Sequence, residues 1–155
     1  MKHICWIALL ALAQSCLLFG DDDEYARRSL AGLTGVDVVI ENLSAGADKL
    51  GLTKEAIQTD VELKLRLAGM QIVASSSVYL WISVTVTKSG NAADMDVELH
   101  QPVGLVRDLT ILTPNGSTWS EATLLANPTA AGIRNIIKDL VDSFLNAWLS
   151  VNPKK

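Results

Sequence analysis

The side chains best suited to chemistry in this chain form an alternating acidic row that ends in a histidine. The row is interleaved with apolar residues and consists of Asp94, Asp96, Glu98 and His100. This alternation predicts that the four side chains share one side of a β-strand. Carboxylates could bind a hard cation or act as a general acid and base. However, residues two apart on a strand are separated by about 7 Å, too far for neighbours in the row to chelate one ion. A solvated sheet face is therefore the better interpretation.

Other known types of catalytic or metal site need residues that this sequence does not contain in the required pattern. His100 is the only histidine after residue 20, which excludes a histidine-rich zinc site. No Gly-x-Ser-x-Gly motif presents a serine nucleophile, and no Lys-Ser/Thr pair follows the glycines between residues 32 and 51. Carboxylate pairs of the glycosidase or aspartic type form across space and stay open as an alternative. The sequence thus predicts no catalytic, metal-binding or cofactor-binding residue.

Aromatic residues offer a binding surface instead. Tyr79 and Trp81 alternate with aliphatic residues in the clearest strand pattern, residues 78–87, and are predicted to point away from the core. Trp119 begins a further strand pattern. We expect Tyr79, Trp81 and Trp119 to form an aromatic patch on an uncovered sheet face, suited to a protein, peptide or glycan partner. The alternative is that a loop or the N-terminal segment covers them.

Five strands would position these side chains. They are predicted at residues 36–41, 70–74, 78–87, 93–106 and 118–125, with residues 42–52 as a loop. Tight turns are predicted at Ser89-Gly90-Asn91 and at Pro114-Asn115-Gly116. Pro102 interrupts the fourth pattern, so this strand should lie at an edge or contain a bulge.

Two amphipathic helices complete the pattern. Thr53 can cap the first, which keeps apolar residues on one face as far as Gly69, a typical helix terminator. The second follows Asn127-Pro128-Thr129 and carries apolar residues at three-four spacing until Asn152-Pro153 ends it. The order β-α-β-β-β-(β)-α predicts an α+β two-layer sandwich: an antiparallel or mixed sheet of four or five strands with both helices on one face.

The first twenty residues have the composition of an export signal. A basic start precedes an apolar run from Ile4 to Ala13, and small residues lead to an acidic block that begins at Asp21. Cleavage after Gly20 is favoured over cleavage after Ala13, because the latter would leave an apolar tail. A lipid anchor at Cys16 is a minority alternative whose sequence context fits poorly.

Cleavage would leave about 135 residues, enough for one domain. We expect residues 21–34 to be a tether and residues 35–152 to be a single α+β domain. Both cysteines, Cys5 and Cys16, would leave with the signal, so no disulfide is expected. No later segment is apolar enough to span a bilayer, so no membrane contact is expected after cleavage. The net charge of −4, with scattered basic residues, disfavours nucleic-acid binding.

Several segments together suggest a family. They are residues 35–43, residues 51–53 opening a helix that reaches 65–69, the strand 79–84, and the ending 140–144 with Asn152-Pro153. This pattern resembles small exported bacterial proteins of uncharacterised function and covers most of the chain after the signal. The resemblance implies a periplasmic or secreted α+β domain and brings no catalytic residues. The N-terminal domain of TolB-like proteins is similar at the level of the fold alone, which is an analogy.

The sequence therefore favours an exported, non-enzymatic envelope or secreted protein that contacts a macromolecule through the uncovered sheet face or a sheet edge. The alternative is a carboxylate-based hydrolase or small-ligand-binding protein that uses the row from Asp94 to His100. A domain that works only within an oligomer is a third interpretation.

Overall fold

A computed structural model describes residues 24–153 of the chain. The predicted signal peptide, with both cysteines and both cleavage sites, lies outside the described residues. The elements follow the order α1 (Glu24–Ser29), β1 (Gly35–Ile40), α2 (Ala45–Lys49), α3 (Lys54–Ala68), β2 (Gln71–Ile72), β3 (Tyr79–Val86), β4 (Ala92–Leu105), β5 (Asp108–Ala126) and α4 (Ala130–Val151).

The strands form one mixed sheet in the order β2-β1-β3-β4-β5. β1 runs parallel to β2 and β3, whereas β3, β4 and β5 are antiparallel. The parallel pair β1 and β2 needs a crossover connection, and α3 supplies it. α3 packs on β1 and β2, and α4 packs on β4, β5 and α3. The predicted α+β class, with a five-stranded mixed sheet, is confirmed.

Local sequence signals set the ends of α3. The hydroxyl oxygen of Thr53 accepts the backbone N–H of Ala56 at 3.2 Å, which satisfies one of the unpaired donors of the first turn. Gly69 ends the helix in the left-handed conformation, at φ 95°, where a side chain would be strained. The inward face buries Ile57, Val61 and Leu65.

α4 provides the largest share of the apolar core. Thr129 caps it by accepting the N–H of Gly132 at 3.0 Å. The side chains it buries include Ile133, Ile137, Leu140, Val141, Phe144, Leu145 and Trp148. This stripe matches the predicted three-four spacing. Within residues 24–153, the helices lack the combined length and hydropathy that a bilayer crossing needs.

Two ion pairs join α3 to α4 in addition to their packing contact. Arg134 on α4 donates from Nε and Nη2 to the two carboxylate oxygens of Asp60 on α3, at 2.7 and 2.9 Å. These hydrogen bonds lower the pKa of Asp60, although burial opposes them. A second ion pair joins Lys64 to Asp142. Both pairs bridge the two helices beside their packing contact.

The turn predicted at Pro114-Asn115-Gly116 is wrong. These residues lie inside β5, and the chain reverses instead at Val106 and Arg107. The pairing of β4 with β5 continues past Pro102 and Pro114 because the ladder shifts register between Gln101 and Val103. The two prolines, which cannot donate a backbone hydrogen bond, lie in this irregular part of the ladder and leave its regular pairs intact. The bulge predicted at Pro102 is confirmed by the same shift.

The long β4–β5 hairpin projects beyond the rest of the sheet. β4 pairs with β3 only as far as His100, whereas its pairing with β5 continues to the turn. Residues 101–116 therefore form a two-stranded extension, which we call the arm. Gly116 is required at its base, because a Cβ there would lie 2.5 Å from Cγ2 of Val103.

The segment predicted to be a tether is part of the domain over residues 24–34. Leu30 is fully buried in the core. At the far end of α4, the side chain of Asn152 accepts the N–H of Gly32 at 2.7 Å and donates to the carbonyl of Leu30 at 2.8 Å. Trp148 Nε1 donates to the carbonyl of Leu33 at 2.8 Å. The prediction failed because these partners are more than a hundred residues away in sequence.

Two smaller differences concern the connections. The predicted loop at 42–52 contains α2, where Gly46 packs so closely that a Cβ would lie 2.9 Å from the carbonyl oxygens of Val86 and Thr87. The strand predicted at 70–74 pairs only over Gln71–Ile72.

Replacing Asn152 tests the fastening of residues 24–34. Asn152→Ala removes the side-chain partners of Gly32 and Leu30 and should lower the free energy of unfolding by about 1–3 kcal/mol. The matched control is Ser150→Ala, since the Ser150 hydroxyl bonds only to Ala147 of its own helix. Urea denaturation measures both, and hydrogen exchange should accelerate at residues 24–34 in Asn152→Ala alone. Equal stabilities for the two variants would contradict this account.

Candidate functional site

The side of the sheet opposite α3 and α4, which we call the open face, carries the aromatic and acidic side chains. The register of β3 and β4 places these side chains in cross-strand pairs: Tyr79 with His100, Trp81 with Glu98, Ser83 with Asp96, and Thr85 with Asp94. The intervening residues of both strands are buried in the core. The alternation predicted for these two strands is confirmed.

Tyr79, Trp81 and His100 form an aromatic cluster at one end of this face. The rings of Tyr79 and His100 are stacked, with centroids 5.1 Å apart and planes 15° from parallel. The ring of Trp81 lies 6.0 Å from His100 at 57°. Such contacts hold flat apolar surfaces in fixed orientations, which lowers the entropy cost of using them to bind.

His100 connects the aromatic cluster to the acidic row. Its Nε2 lies 3.0 Å from Oε2 of Glu98, and because an ionised carboxylate only accepts, the imidazole nitrogen is the donor. Its Nδ1 is buried and has no hydrogen-bond partner among the described residues. The ring is therefore oriented by Glu98 on one side and by Tyr79 on the other.

Trp119 does not lie with Tyr79 and Trp81, so this part of the predicted patch is wrong. It pairs with Leu99 on the helix side of the sheet, is 1% exposed, and meets Phe144 edge to face at 5.2 Å. Its Nε1 is buried without a hydrogen-bond partner among the described residues. The strand around Trp119 mixes polar and apolar residues on both sides, so its sequence does not reveal which side faces the core.

Carboxylates from two strands form an acidic cluster beside the aromatic one. Its members are Glu41, Asp94, Asp96 and Glu98. The pKa of Asp96 is raised, first because burial disfavours its charge, and then because the other three add negative charge nearby. A neighbouring cation would therefore stabilise the ionised form of the Asp96 carboxyl.

Glu41 is the member that sequence reasoning missed. It follows β1, and its N–H donates to the carbonyl of Ile82 on β3 at 2.9 Å, which brings it beside the β4 row. The alternation of β1 indicates its side, but only the parallel pairing of β1 with β3 reveals its neighbours. Asp37, on the same side of β1, is already occupied, since it accepts the N–H groups of Val38 and Ser75, each at 2.8 Å.

The charged side chains of the described strands are almost all acidic. None of the five described strands contains a lysine or an arginine. In the part of the chain that the structure describes, no three histidine, cysteine or acidic side chains converge as metal ligands would. The surface can therefore attract cationic groups, but its carboxylates are spread out along the strands.

The clefts found in the domain lie elsewhere. One of about 280 Å³ lies beside α2 and the start of α3, and another of about 230 Å³ lies between α4 and the helix side of β5. Neither includes the aromatic or the acidic cluster.

No family model matches the chain, and no curated protein matches it either. Any functional argument therefore depends on the geometry of the open face.

Asp96→Asn tests whether burial, together with repulsion within the acidic cluster, disfavours the charge of Asp96. A raised folded-state pKa means that folding favours the protonated form, so the stability that Asp96 contributes is present below its ordinary pKa of 3.8 and is lost as the pH rises through the folded-state pKa. The uncharged amide avoids this loss. Asp96→Asn should therefore be more stable than the wild type at neutral pH, by less than about 1 kcal/mol because water screens the charges.

The gain should disappear below pH 3.8, where the wild-type carboxyl is protonated. Urea denaturation as a function of pH measures it, with Asp139→Asn on the exposed side of α4 as the control. A loss of stability at neutral pH on replacing Asp96 would refute the account that its charge is unfavourable in the folded protein.

Proposed function

We propose that this protein is an exported, non-enzymatic binding protein whose open face docks a macromolecular partner that presents cationic groups. The observation that carries the proposal is the placement of an acidic cluster directly beside an aromatic cluster, on a sheet whose described strands contain no lysine or arginine. The export part of the proposal depends on the predicted signal sequence.

The acidic cluster supports a cationic partner through charge complementarity. A group of neighbouring carboxylates attracts lysine and arginine side chains, speeds up association with a cationic partner and disfavours acidic competitors. The raised pKa of Asp96 adds a specific argument: burial first, and repulsion by the neighbouring carboxylates second, disfavour its charge in the free protein, and a bound cation would offset both. Binding should therefore stabilise the ionised form of Asp96.

The aromatic cluster supports the same kind of partner. A lysine or arginine over the face of Trp81 or Tyr79 is attracted by the π-electrons while its methylene groups cover the ring. Large aromatic side chains that are held in place are frequent hot spots of binding. Tyr79 is held by its stacking on His100, so little order must be gained when a partner arrives.

These features favour a protein or peptide over a glycan. Neutral sugars stack on aromatic rings and can donate hydroxyl hydrogen bonds to carboxylates, but they carry no positive charge to complement several neighbouring negative ones. The carboxylate hydrolase gains no support from the clefts, which lie away from the row from Asp94 to His100. A basic protein segment uses both clusters at once.

Binding of a fluorescein-labelled peptide of alternating lysine and serine tests the proposal. Tyr79→Ala and Trp81→Ala should each raise the Kd about tenfold or more, because they remove half-buried aromatic rings of the kind that often act as hot spots. The matched control is Tyr25→Ala on α1, whose side chain is 79% exposed and lies on another surface. Fluorescence anisotropy measures the Kd, and circular dichroism verifies folding.

Charge variants separate specific docking from general attraction. Asp94→Asn with Glu98→Gln should weaken binding and flatten its salt dependence. Asp48→Asn with Asp139→Asn removes the same charge from exposed positions elsewhere and should change the Kd much less. Equal losses from the two pairs, or no loss in Tyr79→Ala and Trp81→Ala, would refute docking on the open face.

A further inference from the structure

One polar side chain of the open face, that of Ser83, is almost completely buried. Ser83 lies between Trp81 and Thr85 on β3, and its exposed fraction is 6%. Like its cross-strand partner Asp96, it lies on the side of the sheet opposite α3 and α4. Its hydroxyl has no hydrogen-bond partner among the described residues. A buried hydroxyl without a partner is unfavourable, so a ligand that donates a hydrogen bond to it would remove this penalty.

Two carboxylates flank this hydroxyl, one on each neighbouring strand. Asp96 is opposite Ser83 on β4. On the other side, the N–H of Glu41 donates to the carbonyl of Ile82, which places Glu41 next to Ser83 where β1 ends. Because neighbouring strands are about 4.8 Å apart, the backbones that carry the two carboxylates are about 10 Å apart, with only the small serine side chain between them. We call Glu41, Ser83 and Asp96 the Ser83 site.

The charges of the Ser83 site are not neutralised within the domain. Among the described residues, neither Glu41 nor Asp96 forms an ion pair. The two carboxylates are close enough to interact, since the charge of Glu41 helps to raise the pKa of Asp96, after burial and the charges of Asp94 and Glu98. A cation held between the two carboxylates would be attracted by both at once.

The number and placement of the acceptors indicate which cation fits. The two carboxylates and the hydroxyl oxygen surround one position on three sides. A lysine ammonium is compact and has three N–H donors, whereas the arginine guanidinium spreads five donors over a rigid plane. Trp81 lies about 7 Å from Ser83 along the strand, close to the length of a lysine stem, whose methylene groups can cover the ring.

We propose that the Ser83 site binds the ammonium group of a lysine side chain, which donates to the carboxylates of Glu41 and Asp96 and to the hydroxyl oxygen of Ser83. The stem of the same lysine lies along Trp81, so one side chain uses the acidic and the aromatic cluster together. This inference rests on the proposed function and specifies the cationic group of its partner. Arginine, by contrast, would stack on Trp81 without reaching the buried hydroxyl.

Ser83→Ala tests the hydroxyl directly, with the full chain and the labelled lysine–serine peptide. Because the Ser83 hydroxyl has no partner among the described residues, its removal should leave the fold intact. The Kd should rise about tenfold, since a hydrogen bond to a charged group is lost. The matched control is Ser120→Ala, which removes a hydroxyl from the same face on β5, opposite Glu98 and away from Glu41, and should leave the Kd unchanged.

Two altered peptides separate hydrogen bonding from charge. Replacing each lysine by Nε-trimethyllysine keeps the positive charge and removes every N–H donor, so the wild type should bind this peptide about tenfold more weakly. Ser83→Ala and the wild type should bind it equally. A peptide with arginine in place of lysine should respond to Trp81→Ala and not to Ser83→Ala. Equally tight binding of the methylated and unmethylated peptides by the wild type would overturn the proposal.

Competition identifies the source of the ammonium group. Cadaverine carries the same group without a peptide chain, so it should displace the labelled peptide only at concentrations far above the Kd of the peptide. Displacement by cadaverine at concentrations near that Kd would overturn the assignment to a protein lysine and would assign the site to a free amine. Displacement by calcium at constant ionic strength would assign the carboxylates to a metal ion and would also overturn it.

Failure of the lysine site is distinguishable from failure of the proposed function. Peptide binding that is lost in Trp81→Ala and unchanged in Ser83→Ala would refute the lysine site and leave docking on the open face supported. Equal binding by the wild type, Trp81→Ala and Ser83→Ala, or no binding by any of them, would refute both. Equal losses in Ser83→Ala and Ser120→Ala would refute the lysine site alone.

Discussion

The packing of α4 against the inner side of β4 and β5 and against α3 is the interaction on which the rest of this structure depends. Its apolar stripe is continuous over the length of the helix and includes Phe144, whose ring meets Trp119 of β5. Burial of each such side chain contributes about 1.5–3 kcal/mol. The same helix ends in Trp148 and Asn152, which bind the segment before β1. One helix thus secures the sheet and both ends of the described chain.

This arrangement decides the chemistry of the other side of the sheet. Because the inner side takes the aliphatic residue of each alternating pair, the remaining residues collect on the open face. There, Tyr79 stacks on His100, and His100 donates to Glu98. Burial, and after it the neighbouring charges of Asp94, Glu98 and Glu41, raise the pKa of Asp96. A surface that is aromatic at one end and acidic beside it follows from strand alternation and register, without any pocket.

Unequal strand lengths produce the second exposed surface. β3 has 8 residues, whereas β4 has 14 and β5 has 19. β4 and β5 therefore continue as the arm beyond the part of the sheet that β3 covers. Register shifts near Pro102 and Pro114 allow this continuation. The open face and the arm therefore have different origins: the first comes from the alternation within each strand, and the second comes from the mismatch between strands.

The sequence by itself determined the elements whose signals are local. Three kinds of local signal depend only on nearby residues: the caps at Thr53 and Thr129, the left-handed end at Gly69, and the alternation of Tyr79 and Trp81. The order of the elements that these signals mark was enough to predict the α+β class. Only the tertiary structure decided the side on which Trp119 lies, the neighbours of Glu41 and the attachment of residues 24–34. Each of these depends on register between distant strands or on contacts with α4, and such long-range pairing leaves no trace in the spacing of adjacent residues.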